Sequence, residues 1–166
     1  MSRSLGPRLP DALVARLDQR DLAARLGVAL PFATADADGC PHPMLLSYLE
    51  IRAHDAATVG LVIGSRSTSA RNLAAGRPAT LSVVEPGVVA YVKLRPVDGP
   101  LPVPGGESWS LGYFLLEVTD VLEDAAADWE AGAAVTSAIA YRPAPSLDAP
   151  WARAILAGLA TPRARA

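Results

Sequence analysis

Six short apolar runs, each cut off by turn-forming residues, set the tightest limit on what this chain can fold into. They cover residues 28–35, 43–51, 58–63, 79–84, 88–97 and 111–122. Runs of this length with β-branched and aliphatic content predict strands, because an amphipathic helix would need a longer segment at 3.6-residue spacing. Asp36-Ala37-Asp38-Gly39 separates the first two runs with residues that tolerate a left-handed turn, and Glu85-Pro86-Gly87 separates the fourth and fifth, so both pairs read as hairpins. Hairpins in succession make an antiparallel sheet, and closing it into a small barrel would remove its exposed edges. The fold class expected is α+β, mainly β, with about six strands.

Helices are expected around this sheet. Pro10-Asp11 opens a helical pattern carrying Leu13, Val14, Leu17, Leu22 and Leu26, and Gly27 stands where a helix C-terminus is released, giving an N-terminal helical cap over 10–26. An alanine-rich stretch at 125–140 predicts a helix, 142–150 is broken by prolines, and 151–159 has helical spacing with Ile155 and Leu159 on one face, so C-terminal helices are expected within 125–160. Between the third and fourth strands, Ser67 or Thr68 can cap a short helix that runs through Leu73-Ala74-Ala75 and ends at Gly76. Residues 99–106 hold three prolines and three glycines and predict a loop, long enough to serve as a lid or rim.

A chain of 166 residues, 51% hydrophobic, suits one domain over 1–166 with its barrel core at about 28–122. Cys40 is the sole cysteine, so no internal disulfide forms, which favours a reducing compartment. The first ten residues carry Arg3, Arg8 and two prolines without an apolar run, which predicts neither a secretory signal nor a spanning helix. A cytoplasmic location is expected, with no membrane partner. The net charge is −2 and the arginines are scattered, so no basic track exists to follow a nucleic-acid backbone.

The segment with the clearest chemistry is Gly64-Ser65-Arg66-Ser67 followed by a helix start. Free N–H groups, hydroxyl donors and a guanidinium fork together suit a phosphate dianion; the bland alternative is a capped helix with a solvated Arg66. Asp36 and Asp38 read as turn residues, since a calcium loop needs further oxygen ligands and a distal glutamate. His42, His54 and Cys40 are too few for a zinc site. His42 is a candidate ligand or a partly buried hydrogen-bonded histidine; His54 reads as a surface loop residue, and Cys40 as an inert thiol. Trp109, Tyr113 and Phe114 could stack on a planar ring or pack the barrel, while Trp129 and Trp151 read as helix anchors. No Ser–His–Asp set or paired-carboxylate site is recognisable.

Two segments resemble the pyridoxamine 5′-phosphate oxidase-like, FMN-binding split-barrel proteins. Residues 30–42, Leu-Pro-Phe-Ala-Thr-Ala-Asp-Ala-Asp-Gly-Cys-Pro-His, are similar to that family's opening hairpin. Residues 67–79, Ser-Thr-Ser-Ala-Arg-Asn-Leu-Ala-Ala-Gly-Arg-Pro-Ala, are similar to its phosphate loop and helix. The resemblance, over roughly residues 20–122, implies an antiparallel split β-barrel with flanking helices and a homodimer with FMN at its interface. It also implies a phosphate site drawing on Arg66, Ser67, Ser69 and Arg71, with Asn72 in the helix and Ser47 on the second strand. This chain departs from the family at three places: Ser69 stands where a lysine is usual, and Pro43 and Ser47 stand where basic residues are usual. Two functions follow from the resemblance, an FMN-dependent oxidoreductase of unknown substrate, or a non-catalytic relative that has lost FMN and binds another small ligand or serves as a structural or regulatory dimer.

Overall fold

The computed structural model describes residues 2–124 and 132–160. Alternation organises its sheet. In β6 (Ala79–Glu85) every second residue from Ala79 onward is buried, and in β2 (Ala29–Ala35) Leu30, Phe32 and Thr34 turn to the same interior. β3 (Pro41–Ser47) pairs with β2 in register Leu30 to Leu46 and Thr34 to His42, so their inward rows coincide. β5 (Thr58–Gly64) is buried from Thr58 to Ile63, which means that both its faces are covered.

The remaining strands are β1 (Ser2–Ser4), β4 (Ile51–Ala53), β7 (Val88–Pro102) and β8 (Leu111–Asp124), and the sheet order is β3-β2-β6-β7-β8-β5-β4, with β1 added beside β8. All pairings are antiparallel. β3 and β4, at opposite ends of that order, are joined by one tight turn, so the sheet must curl round on itself. Leu30, Phe32, Leu61, Leu81, Val92, Phe114 and Leu116 fill the space it encloses. This is the mainly β, antiparallel half-barrel with flanking helices that the hairpin pattern predicts.

Among the described residues four α-helices flank it: α1 (Asp11–Leu17), α2 (Leu22–Arg25), α3 (Thr68–Ala74) and α4 (Pro150–Ala160). α4 covers the outer face of β5. Its Gly158 lies so close to Val62 and Val103 that an added Cβ would come within 3.1 Å of Val103 Cγ1. Trp151 packs against the same core, as an anchor should. Trp129 lies outside the described residues.

Three expectations need correcting. The lid over 99–106 is not a free loop: β7 continues to Pro102, and Val103 is buried against α4. Beyond Leu94, β7 has β8 as its one ladder partner, so the N–H groups missing at Pro96, Pro100 and Pro102 remove no ladder bond on the open side. The helix expected over 125–140 falls partly on residues 125–131, outside those described, and residues 132–140 are not helical. They form an extended strap instead, in which Ala29 N–H donates to Ile139 O (2.8 Å) and Val28 bridges Ala140. The strap occupies the side of β2 that β6 leaves unpaired before Phe32, and that tertiary pairing overrides alanine's helical preference. Finally, two strands were not expected: β1 in the N-terminal segment, and β4, which a turn at 48–50 separates from β3 within the single run expected over 43–51.

Candidate functional site

α3 begins where β5 stops. Ser67 takes the extended conformation of an N-cap and its Oγ accepts from Ala70 N–H at 3.1 Å. At the other end Gly76 adopts φ +75°, its N–H donates to Leu73 O and Arg77 N–H donates to Asn72 O, which closes the helix with a Schellman pair. Glycine belongs there because a side chain would strain that left-handed backbone.

The predicted site residues divide sharply. Arg66 is exposed, and its guanidinium makes no hydrogen bond or ion pair with another described residue. Ser67 and Thr68 are half-buried beside it. Arg71, though exposed, folds back: it donates to Arg66 O and to Thr68 Oγ1, both at 2.7 Å, and so stiffens the loop. Ser69 is buried on the inner side of the helix.

Asn72 is a structural hub. Its Nδ2 donates to Thr34 Oγ1 (2.9 Å) and Asp36 Oδ1 (2.8 Å), and its Oδ1 accepts from Arg77 (2.6 Å), fastening α3 to the first hairpin. Ser47 lies at the opposite end of that hairpin, paired with Ala29. Five residues of strand separate the two positions, about 17 Å. The buried Ser47 donates both its N–H and its hydroxyl to Glu50 Oε2, at 2.7 and 2.9 Å. Burial raises the Glu50 carboxyl above its ordinary value, against the lowering effect of the Ser47 bonds. Ser47 and Asn72 are thus structural residues here, and neither stands with the exposed Arg66.

The other flagged residues settle as follows. His42 Nδ1 lies 3.6 Å from Asp36 at the first hairpin, half exposed. His54 does lie in a loop, between β4 and β5, but is half-buried: its Nε2 lies 2.9 Å from the hydroxyl of the buried Tyr113, and both ride over Gly60, where a Cβ would come within 2.6 Å of that nitrogen. Burial, then the charge of Arg52, hold the imidazole below its ordinary value. Tyr113 and Phe114 are fully buried and pack the barrel, whereas Trp109 is 43% exposed. Cys40 is exposed.

Two features escaped the sequence. Ser65 N–H and Oγ both donate to Ser110 O (2.7 and 2.8 Å), which joins the Arg66 loop to the turn carrying Trp109. A second network holds the N-terminal cap: Glu85 accepts from the Tyr48 hydroxyl and from Arg16 (2.7 Å), with Arg25 at 3.4 Å and also stacked 5.4 Å over the Tyr48 ring. Neither leaves a local signal, since the partners are 37–69 residues apart. A cavity of about 680 Å³ opens away from this loop, between Leu5, Leu13 and the β6–β7 turn. Its walls mix aliphatic side chains with the carboxylates of Glu123 and Asp124, and Glu123 is paired with Arg3.

Neither a protein-family model nor a curated sequence matches the chain. Solved structures do. A protein assigned as a pyridoxamine 5′-phosphate oxidase from Lactobacillus delbrueckii superposes with a TM-score of 0.55 over 72% of this chain and 98% of its own, at 14% identity. An FMN-binding protein from Syntrophomonas wolfei superposes with a TM-score of 0.50 over 70% of this chain and 92% of its own, at 9% identity. The fold is the split barrel of the pyridoxamine 5′-phosphate oxidase-like proteins. Within this split barrel the phosphate loop expected from the resemblance is the segment that carries Arg66. Its residues fit a phosphate in part: the loop offers a free guanidinium, the hydroxyls of Ser67 and Thr68 and the first N–H groups of α3. At the two β3 positions where basic residues are usual there is no cation: Pro43 is exposed at the sheet edge and Ser47 is buried and held by Glu50.

Proposed function

We propose that this split barrel binds FMN, or a closely related phosphorylated planar cofactor, and serves as a flavin-dependent oxidoreductase acting on a small molecule. The observation that carries the reading is the exposed, unpartnered Arg66 set beside two hydroxyls at the capped start of α3. Its planar fork can take two phosphate oxygens at once, and Arg71 keeps the loop in the shape that presents it. FMN, when bound, supplies the two-electron redox chemistry. The protein's part is to hold the phosphate and keep the loop from rearranging. No general base is assigned.

The working unit in this reading is a homodimer in the cytoplasm. Pro41, Pro43 and Leu45 lie exposed along the outer row of β3, with Leu45 at 52%, and a second copy would cover that apolar edge. No helix among the described residues is long and apolar enough to cross a membrane.

A specific observation favours a second reading, a non-catalytic relative that keeps the barrel and takes another small anion: Ser47, Arg71 and Asn72 are all engaged within the protein. A flavin titration separates the two. FMN should bind the purified chain with a shift of its visible bands, and Arg66→Ala should weaken it about 10- to 150-fold, the value of a hydrogen bond to a charged group. A chain that cannot be loaded with FMN, or an Arg66→Ala variant of unchanged affinity, would reject the first reading.

A further inference from the structure

We infer that Trp109 and Arg66 form one two-point grip, Arg66 for the phosphate and Trp109 as the stacking platform for the ligand's ring. This deepens the reading above and rests on its assignment of the phosphate to the Arg66 loop.

The placement follows from register. β5 and β8 pair antiparallel up to Gly64 with Leu111. One step further puts Ser65 opposite Ser110, and there the two donations from Ser65 to Ser110 O hold the segments together. Arg66 and Trp109 each stand one residue beyond this clasp, Arg66 in the turn ahead of α3 and Trp109 at the end of a 3-10 turn, so they start no more than about 13 Å apart at Cα, within reach of one extended ligand.

The surroundings keep both side chains available. Ser110 takes a left-handed conformation (φ +51°) at the end of the 3-10 turn Glu107–Trp109, which reverses the chain just after the indole. Gly106 and Gly112 bracket the turn, and a Cβ on Gly112 would sit 3.2 Å from both Ser65 and Pro100, so the backbones there are closely apposed. Trp109 nevertheless stays 43% exposed, while Tyr113 and Phe114, its neighbours in sequence, are buried. Neither an aromatic ring nor a guanidinium of a described residue is stacked on it, Arg66 included. An indole left open beside an unpaired guanidinium, on a turn pinned to the loop that carries that guanidinium, matches a ligand with a planar ring at one end and a phosphate at the other.

The test uses the full-length chain and three probes, FMN, riboflavin and inorganic phosphate, with binding followed by calorimetry and by flavin absorption. Trp109→Ala should weaken FMN and riboflavin about tenfold or more and diminish the shift of the flavin bands, while leaving inorganic phosphate unchanged. Arg66→Ala should do the reverse, weakening FMN and phosphate and sparing riboflavin. Trp109→Phe should keep most of the flavin affinity yet lose the part of the tryptophan emission that FMN quenches in the parent protein. A Trp109→Ala variant that binds FMN with parental affinity and an unchanged spectrum overturns the platform and leaves the phosphate loop standing. A parent chain that binds phosphate but neither flavin does the same. Riboflavin binding that needs Trp109, in a chain blind to phosphate, upholds the platform and removes the Arg66 assignment.

Discussion

At His54 the contrast between solvent and interior acts on a single proton. The imidazole sits against the buried Tyr113 hydroxyl, and burial together with Arg52 favours its neutral form below the ordinary value of 6.5. As pH falls, the unfolded chain takes up this proton first, so it binds more protons than the folded one between the ordinary and the lowered value. His54 therefore contributes stability that is present above about pH 6.5 and lost as the pH drops toward its folded value. The stability gap between the parent protein and His54→Gln, measured by urea denaturation, should be constant above about pH 8 and narrow by about pH 5.5. A gap independent of pH would mean that the ring is not held neutral. The sequence showed His54 beside Arg52 and Asp55, which reads as a polar loop. What brings it inward is Gly60 on the neighbouring strand, whose missing side chain makes room for the ring, and that pairing is not local.

Among the elements, the helical cap depends on a single carboxylate. α1 and α2 are short and have no side-chain N-cap bond, so little holds them locally. Arg16 and Arg25, one from each, converge on Glu85 at the end of β6, where the Tyr48 hydroxyl also donates. Gln19 adds three contacts to the carbonyls of Tyr48, Leu49 and Ile51, at 3.1–3.2 Å. Burial, then the Glu85 carboxylate, push the Tyr48 hydroxyl far above its ordinary value. Glu85→Ala leaves two guanidinium groups without their partner and should cost on the order of 3 kcal/mol in chemical denaturation. In the same variant a tyrosine should titrate at lower pH in ultraviolet difference spectra, and an unshifted titration would show that Glu85 does not govern Tyr48. The hairpins and α3 were legible because their turns, alternation and caps are written in adjacent residues. The strap and the far half of β7 were not: alanine content and proline density describe local preference, and in both places pairing with a neighbouring strand decided the conformation.

For the molecule as a whole, the loop between β5 and α3 is at once the best and the weakest part of the sequence reading. Its position after β5 and a cap at Ser67 or Thr68 follow from residues 64–76 alone, and the structure selects Ser67 and leaves Arg66 exposed. That Ser69 turns inward, that Arg71 folds back and that Ser47 is held by Glu50 required the packed structure, because hydroxyl and guanidinium groups look alike in sequence whether they face a ligand or their own backbone. If two copies meet along β3, Leu45→Asp should place a charge in the contact and shift sedimentation toward the monomer without lowering the melting temperature of the isolated chain. A Leu45→Asp protein that sediments as the parent does would remove β3 from the contact. The two hydrogen bonds from Ser65 to Ser110 O also separate the places where this scaffold can be lengthened from those where it cannot. Peptide spliced in just ahead of Ser110 would drag the first turn of α3 out of position, whereas a tag inserted at the exposed Pro86-Gly87 tip, at the β6–β7 turn, would leave the Arg66 loop as it is.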